Sequence, residues 1–166
     1  GIDLAGKGGL VWTKSRSSAY SNITNDTVRG FSSYLIPNST NAENSFGSLV
    51  TMTANSNGYT MNDTNGSWNG SGVTFAGWTF RKQPKFFDIV TYTGNGTTNN
   101  IAHSLASVPG CLIVKKTSTT GNWIVITRDA SGNYVYGYLN TTGSMPSAWS
   151  AASTSTYMTS TTLNMN

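Results

Sequence analysis

The chain contains 166 residues, of which 10% are charged and 11% are aromatic. An average soluble domain carries about 25% charged residues, so Gly, Ser, Thr and Asn must keep this surface hydrated, and the aromatic content excludes a wholly disordered chain. The formal net charge of +4 comes from basic residues scattered in small groups, whereas nucleic-acid-binding proteins concentrate such charge on one face. We therefore expect no nucleic-acid partner.

No apolar stretch approaches the ~20 residues that a transmembrane helix requires, so we expect no membrane insertion. The chain has a single cysteine, Cys111, which cannot form an internal disulfide. It lies in the apolar run Cys111–Val114, and we interpret it as a small buried hydrophobic residue. Stability must then come from packing, from oligomerisation or from both.

Short segments rich in β-branched and aromatic residues, bounded by Gly, Asn or Ser, recur along the chain and predict strands. In chain order they are Leu10–Lys14, Ser33–Ile36, Leu49–Ala54, Tyr59–Met61, Val73–Arg81, Phe86–Thr93, Asn99–His103, Cys111–Lys116, Trp123–Arg128 and Tyr134–Leu139. Only Thr40–Phe46 permits a short helical turn. The pattern predicts an all-β protein of antiparallel β-sandwich or jelly-roll-like (concanavalin-like) units.

Three pairs of segments repeat in the same order at an offset of about a hundred residues. They are Leu4–Lys14 with Leu105–Lys115, Tyr34-Leu35 with Tyr138-Leu139, and Tyr59–Asn62 with Leu163–Asn166. The repeat predicts two β-sandwich units, residues 1–85 and 86–166, which together make about one and a half repeats and could also pack as one composite domain.

The two copies are not equally complete. The first continues into the predicted strand Val73–Arg81, whereas the second reaches Asn166 without a counterpart of that strand. We expect either a fragment of a longer protein, or units that complete each other or borrow strands from a neighbouring subunit, because an unpaired sheet edge is a template for another strand.

Several motifs carry a family resemblance. They are Gly9–Ser17 (GLVWTKSRS), Asp26–Gly30 (DTVRG), Ser56–Thr60 (SNGYT), Thr74–Trp78 (TFAGW) and Val90–Gly96 (VTYTGNG). Their order, over nearly the whole chain, resembles the repeat of tail-fibre-like and virion structural proteins of marine bacteriophages and cyanophages. The resemblance implies concanavalin-like β-sandwich units on an extracellular virion, at the particle surface or in the tail. It also implies other virion subunits as partners and a homo-oligomer, and it brings no catalytic residue set.

Titratable residues that could support catalysis are scarce. A glycosidase needs two carboxylates facing each other across a sugar, but each carboxylate here adjoins a turn or a strand end, where Asp usually closes a turn. The only histidine, His103, cannot form a His-rich zinc site. We therefore expect a protein that is not an enzyme and has no cofactor, with a polysaccharide-cleaving spike domain as one alternative.

The loop Asn62–Gly70 contains the candidate binding residues. Asp63 and Asn65 weakly resemble calcium ligands, but a single carboxylate without a closing Glu favours a plain hairpin loop. Trp68, next to Asn69, and the distant Trp149 lie among small polar residues, as aromatic residues do in adaptable binding surfaces.

Sugars present a C–H face that can stack on such rings, so the glycan candidates are Asn65, Trp68, Asn69 and Trp149. Alternatively, the two tryptophans fill gaps between sheets or within a subunit interface. The remaining tryptophans, Trp12, Trp78 and Trp123, lie in predicted strands and are interpreted as core residues.

The sequence thus favours a phage virion structural protein, a tail fibre, spike or surface appendage that adheres to host-surface glycans through multivalent weak contacts. An alternative is a capsid-decoration or filament-forming assembly protein that shares β-strands between subunits. A large apolar lateral surface would favour assembly, and a polar groove lined by Trp68 or Trp149 would favour adhesion.

Overall fold

The computed structural model describes residues 1–143, 147–148 and 158–165. Within them it contains thirteen β-strands, which pair antiparallel throughout, and one four-residue helix, α1 (Leu4–Lys7). The strands are β1 (Gly9–Ser15), β2 (Ile23–Asp26), β3 (Ser33–Tyr34), β4 (Asn44–Ser45), β5 (Val50–Asn55), β6 (Gly58–Asp63), β7 (Phe75–Arg81), β8 (Asn99–Ala102), β9 (Cys111–Val114), β10 (Ile124–Arg128), β11 (Tyr134–Tyr138), β12 (Ser147–Ala148) and β13 (Thr162–Met165). The predicted all-β, antiparallel class is confirmed.

The first half of the chain is organised around β1. This strand lies between β2 and β7 in a three-stranded sheet, and its residues alternate between buried and half-buried. Alternate side chains of a strand point to opposite faces, so Val11 enters a core with Leu4 of α1, Ile23 of β2 and Met52 of β5. The hairpins β3–β4 and β5–β6 accompany this sheet as separate pairs.

The second half has its own sheet and its own core. The sheet order is β12-β11-β10-β9, and β13 pairs with β8 beside it. Its core cluster joins Ile101, Ile126, Tyr134, Met158 and Leu163. Each half of the described chain thus contains one apolar cluster, while the division into units 1–85 and 86–166 stays a prediction.

The repeated sequence segments have matching strand pairing. In β1–β2, Val11 lies opposite Asn25, and in β9–β10, Leu112 lies opposite Ile126, so adding 101 to one pair gives the other. The same shift relates every pair of these two ladders. One-residue slips would turn each side chain to the other face, so the shared register indicates one structural unit used twice.

A second correspondence lies outside these two ladders. The Ala54–Tyr59 pair of the β5–β6 hairpin has its counterpart, at an offset of 104, in the bridge between Met158 and Leu163. The agreement extends the repeat of strand pairing to the later part of each unit.

Polar contacts link the two halves. The indole Nε1 of Trp123 donates to the carbonyl oxygen of Ile36 at 3.1 Å, and the Glu43 amide donates to the carbonyl oxygen of Thr117 at 2.9 Å. Trp123 is buried, which confirms its interpretation as a core residue. These bonds join the loop between β3 and β4 to the loop between β9 and β10.

Two sequence predictions about elements are wrong. Phe86–Thr93 forms no strand, because the chain turns tightly there: Gln83 and Phe87 exchange backbone hydrogen bonds around Lys85, whose φ is +62°. Thr40–Phe46 forms no helical turn, because it contributes β4 and its backbone bonds reach the second half.

Strand β2 was not predicted, and it is buried along its whole length. Its sequence Ile-Thr-Asn-Asp is too polar to suggest a core strand, but the structure provides partners for most of those polar groups, the exception being the buried Oδ1 of Asn25. The Asn25 side-chain amide donates to the carbonyl oxygen of Ser33 at 2.8 Å, and the Asp26 carboxylate pairs with Arg29 at 2.6 Å. Buried polar groups are tolerated when they are hydrogen-bonded in this way.

Candidate functional site

Asp63 organises the loop that the sequence singled out. Its two carboxylate oxygens accept hydrogen bonds of 2.6 to 3.1 Å from the backbone amides of Asn65, Gly66, Trp68 and Asn69. A carboxylate that accepts several backbone N–H groups fixes a loop without any metal ion. Within the described ranges, no group of three His, Cys, Asp or Glu side chains is placed to hold a metal.

Trp68 is turned toward the core of the first half. Its ring centroid lies 5.4 Å from that of Tyr34 and 5.2 Å from that of Phe46, and its Nε1 is buried without a hydrogen-bond partner. The loop thus brings Asn65, Trp68 and Asn69 together, with both amide residues exposed and the indole half-buried. Trp149 lies outside the described residues.

The acidic side chains of the chain are all engaged in the fold. Arg29 joins two of them, contacting Asp26 at 2.6 Å and Glu43 at 2.5 Å. The other four bind backbone amides, and one of them also binds a lysine: Asp3, Asp63, Asp88 and Asp129. These are all six carboxylate side chains of the sequence, so each has a structural partner.

Asp88 lies where the two halves meet. Burial opposes its ionisation, but the amide of Ser104, the Lys82 ammonium and the amide of Ile89 together hold its pKa below the usual range. The Ser104 amide lies 2.7 Å from Oδ2, and the Lys82 Nζ lies 2.9 Å from Oδ1. The ionised carboxylate therefore fixes the turn after β7 to the segment after β8.

His103 has a structural position at the end of β8. Its Nδ1 accepts a hydrogen bond from the Leu105 amide at 3.2 Å, and its Nε2 lies 3.3 Å from the carbonyl oxygen of Thr159. This pattern suits the neutral tautomer with the proton on Nε2. The ring thereby joins the ends of the two segments that carry β8 and β13.

An exposed aromatic surface lies on the outer face of the first sheet. Trp12 of β1 and Trp78 of β7 are directly opposite each other, with ring centroids 6.5 Å apart at 72°. Trp78 is 51% exposed, so its interpretation as a core residue is wrong. A regular alternation of residues reveals that a strand has two faces, but it does not reveal which face is buried.

Further rings extend this surface along β7 and beyond it. Phe80, two residues after Trp78, lies on the same face, and its ring centroid is 5.5 Å from that of Phe87, which is 6.4 Å from that of Phe86. Phe86 is 65% exposed. We call these five residues, Trp12, Trp78, Phe80, Phe86 and Phe87, the aromatic platform.

The platform is held by a fixed backbone. Trp12 and Trp78 lie in the seven-pair ladder between β1 and β7. The segment that carries Phe86 and Phe87 is tied by the backbone exchange between Gln83 and Phe87, and the following Asp88 binds Lys82. Rings fixed in this way lose little conformational entropy when they bind a ligand.

Cys111 differs from its sequence-based interpretation. It is exposed, because β9 is the last strand of its sheet and has only β10 beside it among the described residues. The helices of the described chain offer no membrane span, since α1 has only four residues.

These features define an all-β protein with antiparallel sheets, two apolar clusters and an exposed aromatic surface. The chain belongs to the family described as Domain of unknown function (DUF7483), whose model matches residues 3–166. No curated protein and no solved structure matches the chain significantly.

Proposed function

We propose that the chain is a structural protein of a bacteriophage particle, a tail fibre, spike or other surface appendage that adheres to host-surface glycans without catalysis. The observation that carries the binding part is the aromatic platform, in which Trp78 and Phe86 remain 51% and 65% exposed on a rigid backbone. Large exposed apolar groups on a soluble surface commonly mark a binding site, for a protein partner as well as for a ligand, and Trp68 packs against Tyr34 and Phe46 instead of lining a polar groove. By the criterion stated from the sequence, this apolar surface favours assembly between subunits as the second candidate function.

The exposed rings of the platform, Trp78 and Phe86, offer the chemistry that supports stacking of a sugar ring. An aromatic ring presents a flat apolar surface, against which the C–H face of a pyranose can stack. Lys14 lies on the same face of β1 as Trp12 and opposite Ala76. Its ammonium donates to the carbonyl oxygen of Tyr20 at 2.7 Å, and an ammonium has three donors, so it can also donate to a ligand. A single such contact is weak, so adhesion would depend on many copies in one appendage.

The engagement of the carboxylates supports a non-catalytic role. A polysaccharide-cleaving spike would need two acids free to act on opposite sides of a glycosidic bond. Here Asp26 and Glu43 share Arg29, while Asp63 is occupied by backbone amides. Their arrangement serves the fold.

The virion part of the proposal rests on sequence. The repeat and the motifs Gly9–Ser17 and Asp26–Gly30 resemble those of phage tail-fibre-like proteins, and repeated β-units suit a long appendage that displays one surface many times. Under this proposal the partners are other virion subunits, including copies of this chain, and the location is the extracellular particle.

Trp78→Ala tests the platform. We expect it to weaken glycan binding by about tenfold or more, as truncation of an aromatic anchor usually does, when the chain is screened on a glycan array and the best ligand is titrated. Tyr138→Ala is the matched control, because Tyr138 is another exposed aromatic residue, on the second sheet. Its binding should stay within about twofold of the unmodified chain.

Two results would contradict the proposed site. Unchanged binding by Trp78→Ala would exclude the platform, and a loss caused instead by Asn65→Ala or Asn69→Ala would place the ligand at the Asp63 loop. If the folded chain binds no glycan on the array, the adhesion function itself is wrong.

A further inference from the structure

Strand β9 has an open edge. It pairs with β10 through four residues, Cys111 to Val114, and no strand among the described residues pairs with its other side. Among the described residues, the backbone N–H and C=O groups on that side have no hydrogen-bond partner. Such an edge is a ready template for β-strand addition.

The internal repeat shows which strand fits this edge. The ladders β1–β2 and β9–β10 coincide under a shift of 101 residues, so the open side of β9 corresponds to the side of β1 that pairs with β7. There, β7 forms seven residue pairs with β1, including Leu10–Phe80 and Trp12–Trp78. The repeat therefore predicts that a strand similar to β7 fits the open side of β9.

Exposure supports the same conclusion. The residues 10–13 of β1 read half-buried, buried, half-buried, buried, whereas the matching residues 111–114 of β9 read exposed, half-buried, exposed, half-buried. The alternation is identical, and every position of β9 is one class more exposed. Ile113, the counterpart of Trp12, is 47% exposed, as expected of a strand that lacks its covering neighbour.

We propose that the open edge of β9 is a docking site for an extended strand of the β7 type, supplied by another repeat unit of this family. The strand binds antiparallel to β9 in the register of β1–β7. A residue equivalent to Phe80 then lies opposite Cys111, and one equivalent to Trp78 lies opposite Ile113 and covers it. Backbone pairing supplies the affinity, and the alternation of bulky and small residues in Phe75–Arg81 supplies the specificity.

The single cysteine provides a reporter at the required place. Residues directly opposite in an antiparallel ladder have Cα atoms about 4.5–5.5 Å apart, within the range that a disulfide spans. The probe is a synthetic peptide with the sequence of residues 74–83 and the change Phe80→Cys, mixed with the unmodified full chain in a thiol–disulfide buffer. The amount of mixed disulfide at Cys111 is measured by mass spectrometry.

The matched control is the same peptide with Thr79→Cys in place of Phe80→Cys. In the proposed register that residue lies opposite Leu112 and points to the other face, so we expect at least about tenfold less trapping, because the geometry of the bond is not met. A third peptide carries Phe80→Cys together with Ala76→Pro and Gly77→Pro. Prolines remove ladder donors, so this peptide should be trapped as poorly as the control while keeping its aromatic residues.

Other outcomes overturn the proposal. Equal trapping of the three peptides would show that Cys111 is merely a reactive surface thiol. Equal trapping of the Phe80→Cys and Thr79→Cys peptides alone would show that no defined register exists. If the Phe80→Cys peptide is not trapped while Cys111 of the unmixed chain becomes protected from alkylation as the protein concentration rises, a second copy of the chain covers the edge with a surface other than a β7-type strand.

Discussion

The strand pairs β1–β2 and β9–β10 share one register but differ in what surrounds them. Strand β1 is central, because β7 covers its second edge, whereas β9 is the last strand of its sheet among the described residues. Val11 of β1 is completely buried, and its counterpart Leu112 is only half-buried. The comparison teaches that the same register of two strands occurs with and without a third strand beside them, while their burial depends on that third strand.

The two pairs also differ in charge. Asp26 ends β2 and forms an ion pair with Arg29, which is itself bound to Glu43. The position that matches Asp26 in β10 is Thr127, whose hydroxyl donates to the carbonyl oxygen of Gly110 at 3.2 Å. A buried ion pair contributes little net stability but is costly to break. At this matched position the first unit thus has a charged side chain in an ion pair, and the second unit has a neutral hydroxyl with one hydrogen bond.

The largest expected effect comes from truncating matched core residues. Ile23 of β2 is completely buried, and its counterpart Ile124 of β10 is half-buried. Ile23→Ala should lower the free energy of unfolding by about 3 kcal/mol, through lost transfer energy and a residual cavity. Ile124→Ala should lower it by about 1 kcal/mol, because less apolar surface leaves water there. Urea denaturation of the two variants measures the difference.

The same pair of variants can break the comparison. Equal losses of stability would mean that the second sheet is as well covered as the first, and the open edge of β9 would then be filled. Ile113→Ala serves as the control, since its 47% exposed side chain should lose little stability in the isolated chain.

Much of this architecture was accessible from sequence, and the limits have a physical cause. The repeat of Leu4–Lys14 in Leu105–Lys115 correctly indicates equivalent strands. Two segments with the same alternation of residues, each preceded by the same kind of turn, can form strands with the same register. Periodicity did not show that Trp78 faces outward, since either face of an alternating strand can be buried. Which face is buried depends on packing partners that are far away in the sequence.

The candidate site shows the same limit for Trp68, whose ring packs on the core although its local sequence suggests an exposed loop residue. Trp68 stands among Gly, Asn and Ser, and nothing local predicts its contacts with Tyr34 and Phe46. Those contacts depend on how the hairpins β3–β4 and β5–β6 fold beside the first sheet. The adjacent Asp63, by contrast, was correctly recognised as a residue of a turn, because its partners are its own neighbours in sequence.

An intermediate effect is expected from the loop that Asp63 closes. Asp63→Asn replaces one of the two oxygens that accept backbone amides and should lower the free energy of unfolding by about 2 kcal/mol, because bonds to a charged acceptor are lost and donors are left unpaired. Asp129→Asn is the matched change in the second half, where the acid binds the amides of Ser131 and Asn133 in an exposed turn.

Thermal unfolding of both variants sharpens the comparison between the halves. Asp129→Asn should shift the melting temperature less, since water replaces the lost contacts at an exposed turn. A larger shift for Asp129→Asn than for Asp63→Asn would contradict the view that the first half has the more firmly fixed loop.

The smallest expected effect concerns pH and the junction of the halves. The pKa of Asp88 is lower in the folded chain than in the unfolded one, because bonds to Ser104, Lys82 and Ile89 outweigh the opposing effect of burial. The ionised carboxylate therefore stabilises the fold above its unfolded pKa of about 3.9, and this contribution is lost as the pH falls through the lower, folded value. Asp88→Asn has no such contribution, so its stability deficit relative to the unmodified chain should shrink as the pH falls below about 5.

Urea unfolding midpoints measured across that pH range test whether ionisation of Asp88 stabilises the fold, with Lys82→Met as the second variant. Lys82→Met removes the ammonium but leaves the Ser104 and Ile89 amides in place, so its pH profile should lie between those of the unmodified chain and Asp88→Asn. Parallel profiles for all three would show that Asp88 does not couple its ionisation to folding. If unfolding occurs in two separate transitions and the pH-dependent loss of stability affects only one of them, the carboxylate stabilises one half alone. The two halves would then be joined through contacts such as that of Trp123 with Ile36.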